Sequence, residues 1–133
     1  DGRTLDVEAL KQALVGSYQL IEGVAPILDR LKARGLPMHA LSNYSPWYKL
    51  IEAKLGLSRW MDWSFVSCDT GHRKPDPEAY LGAARRLNLG PEACLFIDDR
   101  RQNVRAAEAV RMQAIHFVGA ESLRAGLNER GLL

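Results

Sequence analysis

Residues 93–118, ACLFIDDRRQNVRAAEAVRMQAIHFV, decide the fold of this chain. The continuous apolar run 93–98 ends in an acidic residue, as a buried strand of a parallel sheet does. The alanine-rich stretch 101–111 is typical of a helix, and 113–118 is a second short apolar run. Because two strands joined by a helix form a βαβ unit, this stretch predicts a parallel sheet.

The same alternation extends towards the start of the chain. Pro26 suits the first turn of a helix, and Ser45 and Pro46 are typical of the cap and first position of the next one. The sequence therefore predicts an α/β fold, with a parallel sheet flanked by helices on both faces. Further strands are predicted at 36–42 and 63–68, and further helices at 6–20, 22–34, 45–56, 77–88 and 120–130.

Composition excludes several classes of protein. The chain has 133 residues, of which 47% are hydrophobic, and a formal net charge of +2, the profile of one globular domain rather than of a disordered segment. This weak, mixed charge argues against a nucleic-acid partner. No apolar run approaches the roughly 20 residues of a membrane span, so no membrane partner is expected.

The two cysteines and the opening residues bear on the compartment. Cys68 and Cys94 match no zinc motif, and their apolar neighbours predict buried, reduced thiols. Reduced thiols indicate an intracellular, reducing compartment. The opening DGRTLDVEAL has neither a basic nor an apolar region, and so predicts no signal peptide.

Two adjacent acids, Asp98 and Asp99, follow the apolar run 93–98. Ligands of parallel sheets bind at the carboxyl ends of the strands, which is where these acids are expected to lie. Their oxygens suit a hard cation such as Mg²⁺, although acids at this point also favour the start of the next helix. Asp98 is the better candidate for a metal ligand, because it follows the strand directly.

Ser42 and Asn43 end another predicted strand. A hydroxyl and an amide at this edge would donate hydrogen bonds to a phosphate oxygen, or would simply form a turn. Lys74, in the loop 69–77, offers a compact positive charge to phosphate, or belongs to a solvated basic loop together with Arg73. His72 in the same loop is a candidate for contact with a substrate, whereas His39 and His116 lie inside predicted strands.

The order of these features resembles the haloacid dehalogenase (HAD) superfamily of phosphohydrolases. LSN at 41–43 resembles its second motif, RKPDPEAY at 73–80 its third and FIDDR at 96–100 its fourth. The resemblance runs from about Gly23 to the last residue and implies a Rossmann-like core. The stretch NYSPWYKLIEAKLGL at 43–57 is similar to the plant and algal plastid flavin mononucleotide phosphatases of this superfamily, which suggests a chloroplast.

The resemblance also implies roles for individual residues. Ser42 and Lys74 would be catalytic, Ser42 by binding the transferring phosphoryl group and Lys74 by steadying the nucleophile and the phosphate. Asn43 would assist at the same strand end. Asp98 and Asp99 would hold Mg²⁺. The implied reaction is hydrolysis of a small phosphomonoester, with flavin mononucleotide as the best single substrate, through an aspartyl-phosphate.

The superfamily's first motif, DxDxT, which carries the nucleophile, does not occur in this sequence. In the resembling fold that motif lies on the central strand, between the strands of the second and fourth motifs. Buried unpaired backbone groups cost about 1–3 kcal/mol each, so a strand from elsewhere is expected to fill the position. The resemblance then assigns 1–21 to the remnant of a helical cap and 22–133 to the C-terminal part of the core.

Three explanations of the missing motif stay open at this point. The chain is the C-terminal part of a longer Mg²⁺-dependent phosphatase, or one half of a split protein that a partner chain completes. Alternatively, it is a catalytically inactive module that serves as a structural or interaction subunit of a larger complex.

Overall fold

A computed structural model of the chain describes residues 6–16 and 18–133. Strands and helices alternate from residue 39 onward, as the βαβ pattern predicts. The helices are α1 (Val7–Gly16), α2 (Val24–Ala33), α3 (Tyr48–Leu55), α4 (Ser67–Thr70), α5 (Pro77–Arg86), α6 (Arg101–Ala109) and α7 (Ala120–Glu129). The strands are β1 (His39–Ser42), β2 (Asp62–Val66), β3 (Leu95–Asp98) and β4 (Gln113–His116).

The strands form two parallel pairs. Strand β1 pairs with β2, so that Ser42 lies opposite Val66, and β3 pairs with β4, so that Asp98 lies opposite His116. Within the described residues no strand hydrogen bonds join the two pairs. The predicted α/β class, with parallel strands between helices, is confirmed.

One face of the β3–β4 pair packs on α5 and α6. Phe96 of β3 is buried there with Ala107 of α6. Tyr80 of α5 has no exposed surface and meets Phe96 edge to face, with the ring centroids 5.1 Å apart. Leu41 of β1 packs against the same cluster. The two strand pairs therefore share a hydrophobic core, although no ladder connects them.

The opposite face of the β3–β4 pair is covered by α2 and α7. Ile115 of β4 packs in a cluster with Ile27 of α2 and Leu127 of α7. The chain enters α2 through Gly23, whose φ is +84° and where an added Cβ would lie 2.9 Å from the Cβ of Ala120. Both the backbone angle and the close approach require glycine at this position.

The start of α3 differs from the prediction. We expected Ser45 to cap the helix and Pro46 to open it, but the helix begins at Tyr48. The Ser45 hydroxyl instead accepts a hydrogen bond from the Trp47 backbone N–H at 3.2 Å, and the Tyr48 N–H donates to the Ser45 carbonyl. These bonds close a separate turn before the helix.

Strands β1 and β2 are also shorter than predicted. Strand β1 begins at His39 rather than at residue 36, because the Leu36 N–H donates to the Leu31 carbonyl and thereby completes the end of α2. Strand β2 ends at Val66, since the chain turns there into the single-turn helix α4.

This turn changes the surroundings of one cysteine. Both cysteines are free thiols, but only Cys94 is half-buried; Cys68, in α4, is exposed, so the prediction that it is buried is wrong.

Two further expectations concern the first segment and membranes. Of the predicted cap remnant 1–21, residues 1–5 and 17 lie outside the described part of the chain, as do the side chains of Leu10, Leu14 and Val15. The described part of the segment contains α1. Among the helices described, none combines the length and the apolar character that crossing a bilayer requires.

Candidate active site

A buried ion pair lies at the carboxyl edge of the strands. Lys74, in the loop between α4 and α5, donates from Nζ to Oδ2 of Asp98, the last residue of β3, at 2.6 Å. The two side chains are only 11% and 6% exposed. Two of the residues that the sequence singled out, far apart along the chain, thus meet within hydrogen-bonding distance.

The Asp98 carboxylate is held by further donors. The Arg100 backbone N–H donates to Oδ1 at 2.8 Å, and the Asn103 side-chain amide lies 3.3 Å from Oδ1 and 3.2 Å from Oδ2. Burial alone raises the pKa of Asp98, but the hydrogen bonds from Lys74, Arg100 and Asn103 outweigh it, so that the pKa lies below its ordinary value. Asp98 is therefore ionised at neutral pH.

Asn43 fixes the position of Lys74. Its Nδ2 donates to the Lys74 carbonyl at 2.9 Å, and its Oδ1 accepts from the Lys74 N–H at 2.8 Å. Asn43 directly follows β1, whereas Asp98 ends β3. The chain of contacts from Asn43 through Lys74 to Asp98 therefore connects the carboxyl ends of the two strand pairs, which share no ladder.

Sequence reasoning missed Asn103. This residue of α6 is 6% exposed, and its backbone carbonyl accepts a hydrogen bond from the Tyr80 hydroxyl at 3.0 Å. Burial raises the pKa of Tyr80 to about 12, so the hydroxyl keeps its proton and remains a donor. The sequence offered only a weak signal, an asparagine near the start of the helix predicted directly after the two acids.

The other candidates occupy different surroundings. Ser42 is half-buried at the end of β1, and its hydroxyl has no hydrogen-bond partner among the described residues. Asp99 is exposed, and its backbone carbonyl accepts a hydrogen bond from Nε2 of His116 at 2.8 Å. Ser42 is thus available to a ligand, whereas the Asp99 loop is anchored through its backbone.

His72 is not brought to the ion pair. It is exposed and lines a groove of about 310 Å³ beside α5, together with Thr70, Glu78 and Arg85. Arg85 forms an ion pair with Glu78 there at 2.6 Å. Neither Lys74 nor Asp98 lines this groove.

A second, open groove of about 620 Å³ shares Asn43, the residue that holds Lys74, with the site. Lys74 and Asp98 do not line this groove either, but its wall includes Arg73, the neighbour of Lys74. We call it the aromatic groove, after Tyr44 and Trp47 in its wall. It is lined by Asn43, Tyr44, Ser45, Pro46, Trp47, Ser67, Cys68, Gly71 and Arg73.

The donors present fit part of a magnesium site. Asp98 is an ionised carboxylate and Asp99 is an exposed one, and Mg²⁺ is commonly held by one or two carboxylates together with water and phosphate oxygens. In residues 6–16 and 18–133 no group of three or more His, Cys, Asp or Glu side chains could hold a metal. The two aspartates would therefore share the ion with other ligands.

Comparison with known proteins identifies the family of this chain. A family model described as haloacid dehalogenase-like hydrolase matches residues 1–111. Chloroplastic flavin mononucleotide hydrolase 1 of Arabidopsis thaliana is 42% identical over 132 residues, which cover 99% of this chain and 54% of that protein. Phosphoglycolate phosphatase of Escherichia coli K12 is 30% identical over 91 residues, covering 68% of this chain and 36% of that protein. The chain thus spans about half or less of the length of these relatives.

Solved structures share the fold. A HAD family enzyme from Bacteroides thetaiotaomicron, determined in complex with magnesium and inorganic phosphate, superposes with a TM-score of 0.70 at 18% identity, covering 86% of this chain and 62% of that one. A hydrolase from Streptococcus pneumoniae superposes with a TM-score of 0.71 at 23% identity, covering 83% and 58%.

Proposed function

The chain belongs to the haloacid dehalogenase-like hydrolases, and from this premise we propose that it is the C-terminal part of a Mg²⁺-dependent phosphatase. Phosphatases of this family act on small phosphorylated substrates. The single observation that carries the proposal is the buried Lys74–Asp98 pair, which Asn43 fixes at the carboxyl edge of the strands. A cation beside an ionised carboxylate suits a site that binds both phosphate and a metal ion.

We assign the nucleophile to a segment outside this chain. A central strand with the DxDxT motif would lie between β1 and β3. What supports this is that the two strand pairs share no ladder, while the contacts of Asn43, Lys74 and Asp98 bring their carboxyl ends together. In this proposal residues 22–133 belong to the core domain and residues 1–21 to a helical cap.

The residues of this chain then act on the phosphoryl group and the metal. The Ser42 hydroxyl donates to a phosphoryl oxygen, and Lys74 Nζ balances the charge of the phosphate and the attacking carboxylate. Asp98 and Asp99 would hold Mg²⁺, which when bound neutralises charge on the phosphoryl oxygens. Asn43 keeps Lys74 in place. The first Asp of the outside DxDxT motif would attack phosphorus while the P–O bond to the alcohol breaks, and the second Asp would give the alcohol its proton. Water, losing a proton to that second Asp, would then attack phosphorus and release inorganic phosphate and the free carboxylate.

Flavin mononucleotide is the substrate we propose, and the chloroplast is the proposed location. Both rest on the 42% identity to a relative named as a chloroplastic flavin mononucleotide hydrolase. The alternative of an inactive interaction module gains no support from the comparisons, because the relatives reported above are named as hydrolases or phosphatases.

Phosphate release tests this function. The protein that includes the preceding segment should release phosphate from flavin mononucleotide when Mg²⁺ is present and not when it is chelated. The 133-residue chain alone should release none. Asp98→Asn should abolish the activity, while Arg105→Ala, an exposed change on α6, should leave it unchanged. Equal activity of the 133-residue chain would refute the assignment of the nucleophile to an outside segment.

A further inference from the structure

The aromatic groove lies at the same edge as the ion pair. Asn43 to Trp47 follow the carboxyl end of β1, and Ser67 and Cys68 follow that of β2. Asn43 contributes to both the groove and the hydrogen bonds that hold Lys74. A molecule whose phosphate lay beside Lys74 would therefore have this groove next to it.

The aromatic residues of the groove contact other parts of the chain. The Tyr44 backbone N–H donates to the Ser67 hydroxyl at 3.1 Å, and the Tyr44 and Tyr18 hydroxyls are hydrogen-bonded at 2.8 Å. Lys11 Nζ lies 5.5 Å from the centroid of the Trp47 ring. The hydrogen bond to Tyr18 positions the Tyr44 ring before any ligand arrives, which lowers the entropy cost of binding.

The charge of the groove is positive near the site. Arg73 is exposed, directly precedes Lys74 and forms no ion pair with any described residue. The groove by α5 differs, because its Arg85 is already paired with Glu78. An unpaired guanidinium in a wall with aromatic rings suits a ligand that is both planar and anionic.

We infer that the aromatic groove binds the organic part of the phosphomonoester, and that this part is a planar aromatic ring system. The inference rests on the proposed phosphatase function, since it needs the phosphate beside Lys74. The groove has a volume of about 620 Å³ and is open to solvent, so a ring lying in it would keep one side exposed. Trp47 and Tyr44 would contact the ring and Arg73 its polar edge, so these three residues determine specificity.

Two esters separate ring binding from phosphate binding. The protein with its preceding segment is assayed with flavin mononucleotide and with glycerol 3-phosphate, which has no ring. Stacking of a planar ring on an aromatic side chain is commonly worth about tenfold in affinity. Trp47→Ala should therefore raise KM for flavin mononucleotide about tenfold and leave KM for glycerol 3-phosphate within about twofold. Trp47→Phe should restore most of the loss, and Leu89→Ala, an exposed change outside the groove, should alter neither.

Titration with riboflavin, which has the ring but no phosphate, gives a readout independent of turnover. Trp47→Ala should weaken this binding about tenfold, and inorganic phosphate should not compete with it. Equal losses on both esters, or unchanged riboflavin binding in Trp47→Ala, would overturn the inference and leave the phosphatase proposal standing. Failure of the wild-type protein to hydrolyse either ester would overturn the proposed function itself.

Discussion

The two strand pairs are built differently. The β3–β4 pair lies between two apolar clusters, with Phe96 on one face and Ile115 on the other. The β1–β2 pair contributes only Leu41 to the edge of one of these clusters, and its own strands are joined by a side-chain hydrogen bond of 2.8 Å between His39 Nδ1 of β1 and the Ser64 hydroxyl of β2. The acid that would hold the metal thus stands on a packed core, whereas Asn43, beside the phosphate position, depends on hydrogen bonds.

Loss of the Lys74–Asp98 ion pair, which connects the two strand pairs, should have the largest effect on stability and activity. Lys74→Ala leaves the buried Asp98 carboxylate without its cation, so we expect a loss of about 3–5 kcal/mol in the free energy of unfolding. In the completed enzyme kcat should fall about 100- to 1,000-fold. Urea unfolding and phosphate release measure the two effects. An activity within threefold of wild type would remove Lys74 from the phosphate site.

Two phenylalanines of similar burial, one in each strand pair, test whether the β3–β4 pair is the more tightly packed of the two. Phe96 of β3 and Phe65 of β2 are 8% and 7% exposed, but only Phe96 belongs to one of the buried clusters, where it meets Tyr80. Phe96→Ala should cost about 4 kcal/mol, and Phe65→Ala about 3 kcal/mol, since Phe65 lines a groove and its ring meets the His39 ring and the Arg86 guanidinium. If urea unfolding gives Phe65→Ala the larger loss, the contrast between the regions is wrong.

The same contrast explains how much the sequence could predict. Helix α6 and strands β3 and β4 lie within about two residues of their predicted bounds. Strands buried on both faces appear in the sequence as continuous apolar runs, so their position can be predicted from the sequence alone. Around β1 the predictions of the Ser45 cap and of a strand from residue 36 were wrong. There the backbone groups are bound by turns and a neighbouring helix end, which local patterns do not reveal.

The candidate site divides in a similar way. The contact between Lys74 and Asp98 could be expected from the sequence. Both residues follow or end predicted parallel strands, whose carboxyl ends lie at one edge of the fold. The two hydrogen bonds between the Asn43 amide and the Lys74 backbone could not be predicted from the sequence, because they depend on how two distant loops pack together. Asn103 was missed for the same reason: its partner is set by the packing of α6, not by a motif.

Substitution of Asn103 should have the next smaller effect on stability and on Mg²⁺ binding. Asn103→Ala removes one of the donors of Asp98, and a hydrogen bond to a charged group is worth about 1.5–3 kcal/mol. Because residues behind a metal ligand tune its affinity, Mg²⁺ binding measured by calorimetry should weaken at least about tenfold. Asn103→Asp should weaken stability further, since it sets a second carboxylate beside Asp98. Unchanged Mg²⁺ affinity in Asn103→Ala would mean that the residue only supports the fold.

The smallest effects should come from one tyrosine in each region. The pKa of Tyr80 is raised to about 12 by burial, and that of Tyr44 to about 12 chiefly by its hydrogen bond with Tyr18. The neutral phenol is therefore favoured in the folded state. The resulting stability is fully present below about pH 10, where both states keep the proton, and is lost as the pH rises from about 10 to about 12.

Tyrosine-to-phenylalanine variants separate the two contributions. At pH 7 Tyr80→Phe should cost about 1 kcal/mol, because the Asn103 carbonyl loses its buried donor, and Tyr44→Phe should cost less since Tyr44 is only half-buried. Each variant should lose less stability than wild type between pH 10 and 12 in urea titrations. The flattening should be greater for Tyr80→Phe, because Tyr80 is fully buried, whereas Tyr44 is half-buried and solvent screens its interaction with Tyr18. Equal flattening in the two variants would show that the β1 side excludes water as well as the β3 side does.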